Sequence, residues 1–235
     1  MAPARPQQVR RGGGEPNAKL MATPRIIHQA WVGPKPIPER EKSWCAAMRT
    51  MNPTWDVRFY GNEILSTYEM DPYVRALQHL EKPWAFICDR IRMLLLRDFG
   101  GVWLDPDCQP VRPLDSLREV WDGPATFVAG FRSPDRPDVA LHRGVTLLDN
   151  TFLASAKGSR MCERILSLWR PQNVVIDGHA VGVEILRNCH SDVVFLNHRY
   201  FYATQMMPET ICLHDAHNLA SWVAETRNSQ ARMIA

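Results

Sequence analysis

A chain of 235 residues, 45% hydrophobic and 23% charged, has an ordinary globular composition and length enough for one large domain with its own core. A formal net charge of +3 is too mild to indicate a nucleic-acid binder without a clustered basic face. No apolar run is long enough to span a bilayer and no signal-peptide apolar region opens the chain, while Cys45, Cys88, Cys108, Cys162, Cys189 and Cys212 form no C-x-x-C pair. These cysteines read as buried thiols of a reducing compartment, and the expectation is a cytoplasmic protein.

Residues 1–23, rich in Pro, Gly and Arg, are expected as a disordered tail, with a single domain over 24–235. Met21 is an alternative start. The functional alternative for the tail is a basic arm touching an anionic partner. Arg25–Ala30 reads as a buried strand, left through the loop Trp31-Val32-Gly33-Pro34. Pro38 with Glu39 and Glu41 starts a helix that Asn52-Pro53 stops. Asp56–Tyr60 alternates like a strand, and a less regular helical region follows to about His79. Pro83 opens a helix whose Trp84, Ile87, Cys88, Ile91, Leu94 and Leu95 recur at helical spacing, with Gly100 as its stop. Val102–Leu104 is the next strand and Asp105-Pro106-Asp107 its exit. Further strands are expected at Thr126–Ala129, Leu147–Ala154, Val193–Leu196 and Ile211–Leu213. Helices are expected at about 159–169 and 179–187, and a polar, Pro-rich loop at 131–143. Strands alternating with helices predict an α/β domain whose mostly parallel sheet is covered on both faces.

Asp105 and Asp107 stand one residue apart at a strand end, with Pro106 restricting the backbone between them. Two carboxylates so placed suit a hard divalent cation, and such a cation suits a diphosphate. In α/β sheets, ligands bind beyond the carboxyl ends of the strands, which favours this role over a plain Asp-capped turn. Asp89 and Arg92 share a helix face: either a surface ion pair, or groups holding a nucleoside and its phosphate or sugar oxygens. His28, Trp31 and Gly33 leave the first strand together. Trp31 is a core residue or a platform for a base, and Gly33 permits close backbone approach. Asn150 can face a sugar hydroxyl or belong to a turn. His214 or His217 brings an imidazole to a metal or is a structural group.

In order, these pieces resemble glycosyltransferase family 32, the DXD-sugar-binding enzymes related to fungal outer-chain mannosyltransferases and bacterial capsule-synthesis proteins. Residues 24–33 are similar to its "IPKIIHQ-W-G" opening, and Asn52-Pro53 with Trp55 to its "NP-(W/Y)" step. Cys88–Arg92 is similar to "S-D-x-x-R", and Phe99–Asp107 to "Y-G-G-I-Y-L-D-T-D". Residues 147–155 resemble "I-N-N-A-F-I-A-S", and His217 to Trp222 the "H-H-x-x-G-S-W" ending. The resemblance implies a GT-A fold, a Rossmann-like α/β sandwich that takes a nucleotide sugar as donor. It implies Mn²⁺ or Mg²⁺ bridging Asp107 to the diphosphate, with Asp105 near ribose and metal. Asp89 and Arg92 would hold nucleoside and sugar, Trp31 would line the base pocket, and Asn150 would lie near the donor sugar. His28, Gly33 and Gly101 belong to the same donor-binding set, and His217 or His214 would complete the metal or phosphate contacts.

The family is of the retaining type, so the implied activity is sugar transfer to a glycan, lipid-linked or other hydroxyl acceptor. The leaving phosphate can take the acceptor proton, which accords with the absence of a Ser/His/Asp or Cys/His constellation. Departures are Pro106 between the acids, Asp149 for an Asn, Ala220 for a Gly, and Asp177-Gly178-His179 for a Thr-Gly-Pro turn. Two competing readings are transfer to a hydroxylated base in DNA and a noncatalytic nucleotide-sugar-binding protein. The intact acidic pair weighs against the second.

Overall fold

A computed structural model describes residues 22–80, 83–131, 148–176, 178–188, 192–201 and 206–214. The expected tail up to residue 21, the loop beyond Phe131, Cys189 and His217 lie outside the described residues. The elements are β1 (Ile26–Ala30), α1 (Glu39–Met51), β2 (Asp56–Tyr60), α2 (Glu63–Thr67), α3 (Pro72–His79), α4 (Trp84–Phe99), β3 (Gly101–Leu104) and β4 (Cys108–Pro110). A 3₁₀ turn at Leu114–Leu117 leads into α5 (Arg118–Trp121). Then follow β5 (Phe127–Phe131), β6 (Leu148–Ser155), α6 (Arg160–Leu166), α7 (Gly178–Arg187), β7 (Val193–Leu196), α8 (His198–Phe201) and β8 (Cys212–His214).

Six strands form one sheet in the order β2-β1-β3-β6-β5-β7. β1 is parallel to β2 and β3, and β5 is parallel to β7. Only β6 runs against its neighbours β3 and β5, so the sheet is mostly parallel, as expected, with one reversed strand. Side chains alternate across the sheet and build a core on each face. Val102, Leu104, Val128, Phe152 and Ala154 meet Met48, Trp121 and Phe201 on one side. Trp103, Phe127, Ala129 and Leu153 meet Ile91, Leu94, Ile165 and Ile185 on the other.

α4 carries most of the apolar stripe read from its spacing: Ile87, Ile91, Leu94 and Leu95 are at most 1% exposed, whereas Trp84 in its first turn is exposed and Cys88 half-buried. It stops at Gly100, which takes φ +67°, and Gly101 follows at φ +98°. A Cβ on Gly101 would lie 2.5 Å from the Ile26 carbonyl oxygen, and one on Gly100 2.6 Å from the Lys157 amide nitrogen. The glycine pair thus lets β3 enter the sheet directly against β1.

Some expectations need correction. The helix expected to reach Trp169 ends at Leu166. Its amides tighten to i→i−3 bonds, Leu168 to Ile165 and Trp169 to Leu166, ahead of Pro171, which disfavours helix at the residue before it. β4, α5 and α8 are too short to give a periodic signal and were not expected. Of the cysteines expected to be buried, Cys108, Cys162 and Cys212 are, whereas Cys45 and Cys88 are half-buried; all five are free thiols. Among the described residues no helix is long and apolar enough to cross a membrane.

Candidate active site at the end of the central strand

β3 lies mid-sheet between β1 and β6, so its carboxyl end opens at the centre of one sheet edge. The Asp105 amide donates to the Thr151 carbonyl at 3.0 Å, carrying the β3–β6 pairing one residue past the strand. The Cys108 amide then donates to the Asp105 carbonyl at 3.2 Å. This closes a four-residue turn with Pro106 at its second position, where a fixed φ near −65° is favoured. Asp105 and Asp107 are both half-buried on this turn. β4 leaves it to pair antiparallel with β8, with Cys108 opposite His214. That register brings the His214 backbone beside the residue that follows Asp107.

Four of the residues singled out in the sequence meet in one polar network. Arg92 sits on α4 with its side chain 5% exposed. Its Nη2 lies 2.9 Å from Asp105 Oδ1 and 3.3 Å from Asp89 Oδ1. Its Nη1 donates to the Asn150 carbonyl. The Asn150 Nδ2 in turn donates to Asp89 Oδ1 at 2.7 Å. The Asp89–Arg92 pair is therefore a buried bridge between α4, the β3 exit and β6, not a surface pair. Trp103, which the sequence reading passed over, joins them: its Nε1 donates to Asp105 Oδ1 at 2.6 Å. Two carboxylates, Asp89 and Asp105, thus share one guanidinium, and Asp107 stands on the same turn as Asp105.

Trp31 is half-buried, and its Nε1 donates to the Lys35 carbonyl at 2.9 Å. With Lys35, Ile37, Phe59 and Asn62 it lines a surface hollow beyond the carboxyl ends of β1 and β2. Gly33 lies in the same loop at φ +124°, where a Cβ would come within 2.8 Å of the Trp84 ring. Asn62 clamps it, accepting from the Gly33 amide at 2.8 Å and donating to the Gly33 carbonyl at 3.0 Å.

His28 is fully buried. Its Nε2 is 2.8 Å from the Gly100 carbonyl and its Nδ1 3.0 Å from the Tyr60 hydroxyl. A carbonyl only accepts, so Nε2 carries the hydrogen and Nδ1 accepts from Tyr60. Burial lowers its pKa to about 4. Between pH 6.5 and 4 the unfolded chain therefore binds a proton here that the native protein does not. The native state is then stabilised fully above pH 6.5 and loses up to about 3 kcal/mol as pH falls to 4. Urea unfolding at several pH values should show this slope in the wild type and not in His28→Phe. Equal slopes in the two proteins would refute it.

The acids suit a hard cation in type, since both offer carboxylate oxygens from a rigid turn. Among the described residues no group of three or more His, Cys, Asp or Glu gathers to hold a metal. A pair of carboxylates with remaining positions for phosphate and water is the arrangement magnesium-type sites use with nucleotides.

No family model matches the chain, and no curated protein matches it. Among solved structures it is similar to the PaToxG glycosyltransferase, with a TM-score of 0.53 and 17% identity, covering 71% of this chain and 69% of that one. It is also similar to a glycosyltransferase involved in the glycosylation of the major capsid of PBCV-1, with a TM-score of 0.41 and 12% identity, covering 74% of this chain and 81% of that one. The first likeness is one of fold. Together with the strand order above, it makes this chain a GT-A-type, Rossmann-like α/β sandwich with a mostly parallel central sheet. The narrower resemblance to family 32 rests on the motifs alone.

Proposed function

We propose that this protein is a metal-dependent, retaining glycosyltransferase that moves a sugar from a nucleotide-sugar donor to an acceptor hydroxyl. One observation carries the reading. Asp89, Arg92, Asp105 and Asn150, spread over 62 residues of sequence, converge on the carboxyl end of the central strand beside Asp107. That is where α/β folds of this kind bind ligands.

Asp105 and Asp107 would hold Mn²⁺ or Mg²⁺, aided by His214 or His217, and the bound ion would neutralise the diphosphate as it leaves. Asp89 and Arg92 would hold the donor's nucleoside and sugar where their network reaches the β3 exit. Asn150 faces the donor sugar, and Trp31 offers a flat apolar surface to the base. The acceptor proton passes to the departing phosphate, so no strong side-chain base is required. Binding that strengthens as negative charge develops is the kind that accelerates the reaction.

A thermal-shift screen of UDP-, GDP- and ADP-sugars with Mn²⁺ tests this. A donor at a hundred times its Kd stabilises the native state by about 2.7 kcal/mol. For a chain of this size that raises Tm by about 5–10 °C. The shift should need both nucleotide and metal. A screen in which no nucleotide sugar moves Tm would sink the reading.

A further inference from the structure

Trp103 is 1% exposed, and a buried indole needs an acceptor for its N–H. The acceptor it meets is a carboxylate of the site, Asp105 Oδ1, at 2.6 Å. The two residues are two apart on a strand and its exit, so they share one face of the sheet. The Arg92 guanidinium lies over the same indole, 4.9 Å from the ring centre, and donates to the same Oδ1 at 2.9 Å. Both bonds land on one oxygen, so the carboxylate is held from two directions. A Phe or Leu would fill this part of the core but would offer the acid no hydrogen.

We propose that Trp103 is a positioning residue, whose indole N–H orients Asp105 toward metal and diphosphate while its ring holds Arg92 in place. The proposal rests on the metal-dependent reading above. Its physical basis is the rule that groups hydrogen-bonded to a metal-binding carboxylate fix its direction, and that their loss costs about 10- to 100-fold in metal affinity.

The test is a double-mutant cycle read by Mn²⁺ binding. Free Mn²⁺ is measured by electron paramagnetic resonance in the presence of UDP, GDP or ADP. The four proteins are the wild type, Trp103→Phe, Asp105→Asn and the double variant. Trp103→Phe should weaken Mn²⁺ binding about tenfold in the wild-type background. In the Asp105→Asn background it should change binding by less than about twofold, because the group it positions has lost its charge. Equal losses in both backgrounds, or none in either, would overturn the proposal. A wild type that binds no Mn²⁺ with any of the three nucleotides would instead overturn the metal reading itself.

A second measurement needs no change at Trp103. In ¹⁵N-labelled protein the chain's 8 tryptophans give indole N–H signals. Asp105→Asn should move one of them upfield as its bond to an ionised acceptor becomes a weaker one. If no indole signal moves, the proposal fails.

Discussion

Asp107→Asn is expected to cut sugar transfer at least about a hundredfold while leaving the protein folded. The large effect follows from where the charge sits. A leaving diphosphate gathers negative charge in the transition state, and groups that stabilise it there are worth about 10²–10³ in rate. Asn keeps the size and one oxygen of Asp but loses the charge that a divalent cation requires. The fold persists because the turn that carries Asp107 is closed by the backbone bond from Cys108 to Asp105, which Asn leaves intact. Asp105→Asn should act on stability as well. Its carboxylate pairs with Arg92 and accepts from Trp103, so the change weakens a buried pair and lowers Tm as well as rate. Turnover of each variant with the donor found by thermal shift, beside melting curves, separates the two. Full activity of Asp107→Asn, or of the wild type in excess EDTA, would remove the metal from the mechanism.

The parts of the fold that were legible in the sequence are those carried by a period. The α4 stripe, the alternation of Asp56–Tyr60 and the apolar run Val193–Leu196 each declare one element, and each stands where it was expected. The reversal of β6 carries no such mark. A strand puts its side chains on alternate faces whichever way it runs, so its direction is set by partners the sequence does not name. The same division holds at the site. Asp105 and Asp107 were visible because spacing, proline and strand end coincide. Their meeting with Asp89, Arg92 and Asn150 was suggested only by the ordered resemblance of motifs. Trp103 was hidden because a Trp in an apolar strand reads as core, which it also is. The glycines were visible as breakers, but the need for them lies in tertiary crowding, the Ile26 carbonyl for Gly101 and the Trp84 ring for Gly33.

Asp71→Ala is expected to cost about 4 kcal/mol, though neither Asp71 nor its partner touches the site. Arg90 lies between Asp89 and Arg92 on α4 and points away from them into the protein, its side chain 7% exposed. A charge there is tolerated only if paired. Its Nη2 lies 2.7 Å from Asp71 Oδ2, its Nη1 donates to the Leu166 carbonyl at 3.0 Å, and Tyr73 and Trp169 lie against the guanidinium. Asp71 also caps α3, accepting from the Tyr73 and Val74 amides at 3.0 and 2.9 Å. Burial alone would raise its pKa, but Arg90 and those amides outweigh it and hold the carboxyl below its ordinary value. The stability it contributes is present at neutral pH and is lost as pH falls through about 4 and below. Asp71→Ala removes the cap and strands a buried guanidinium, and breaking such a pair costs about 3–5 kcal/mol. Arg90→Met should cost less, because Asp71 keeps its two amide donors and a methionine fills the space beside Tyr73 and Trp169. The double variant should then be more stable than Asp71→Ala alone. Urea unfolding of the three variants measures this coupling. A loss below about 1 kcal/mol in Asp71→Ala would show that the pair is not what clamps α4. A loss of the expected size would place the rigidity of the helix that presents Asp89 and Arg92 on its opposite face, in the clamp that ties α3 and α6 to α4.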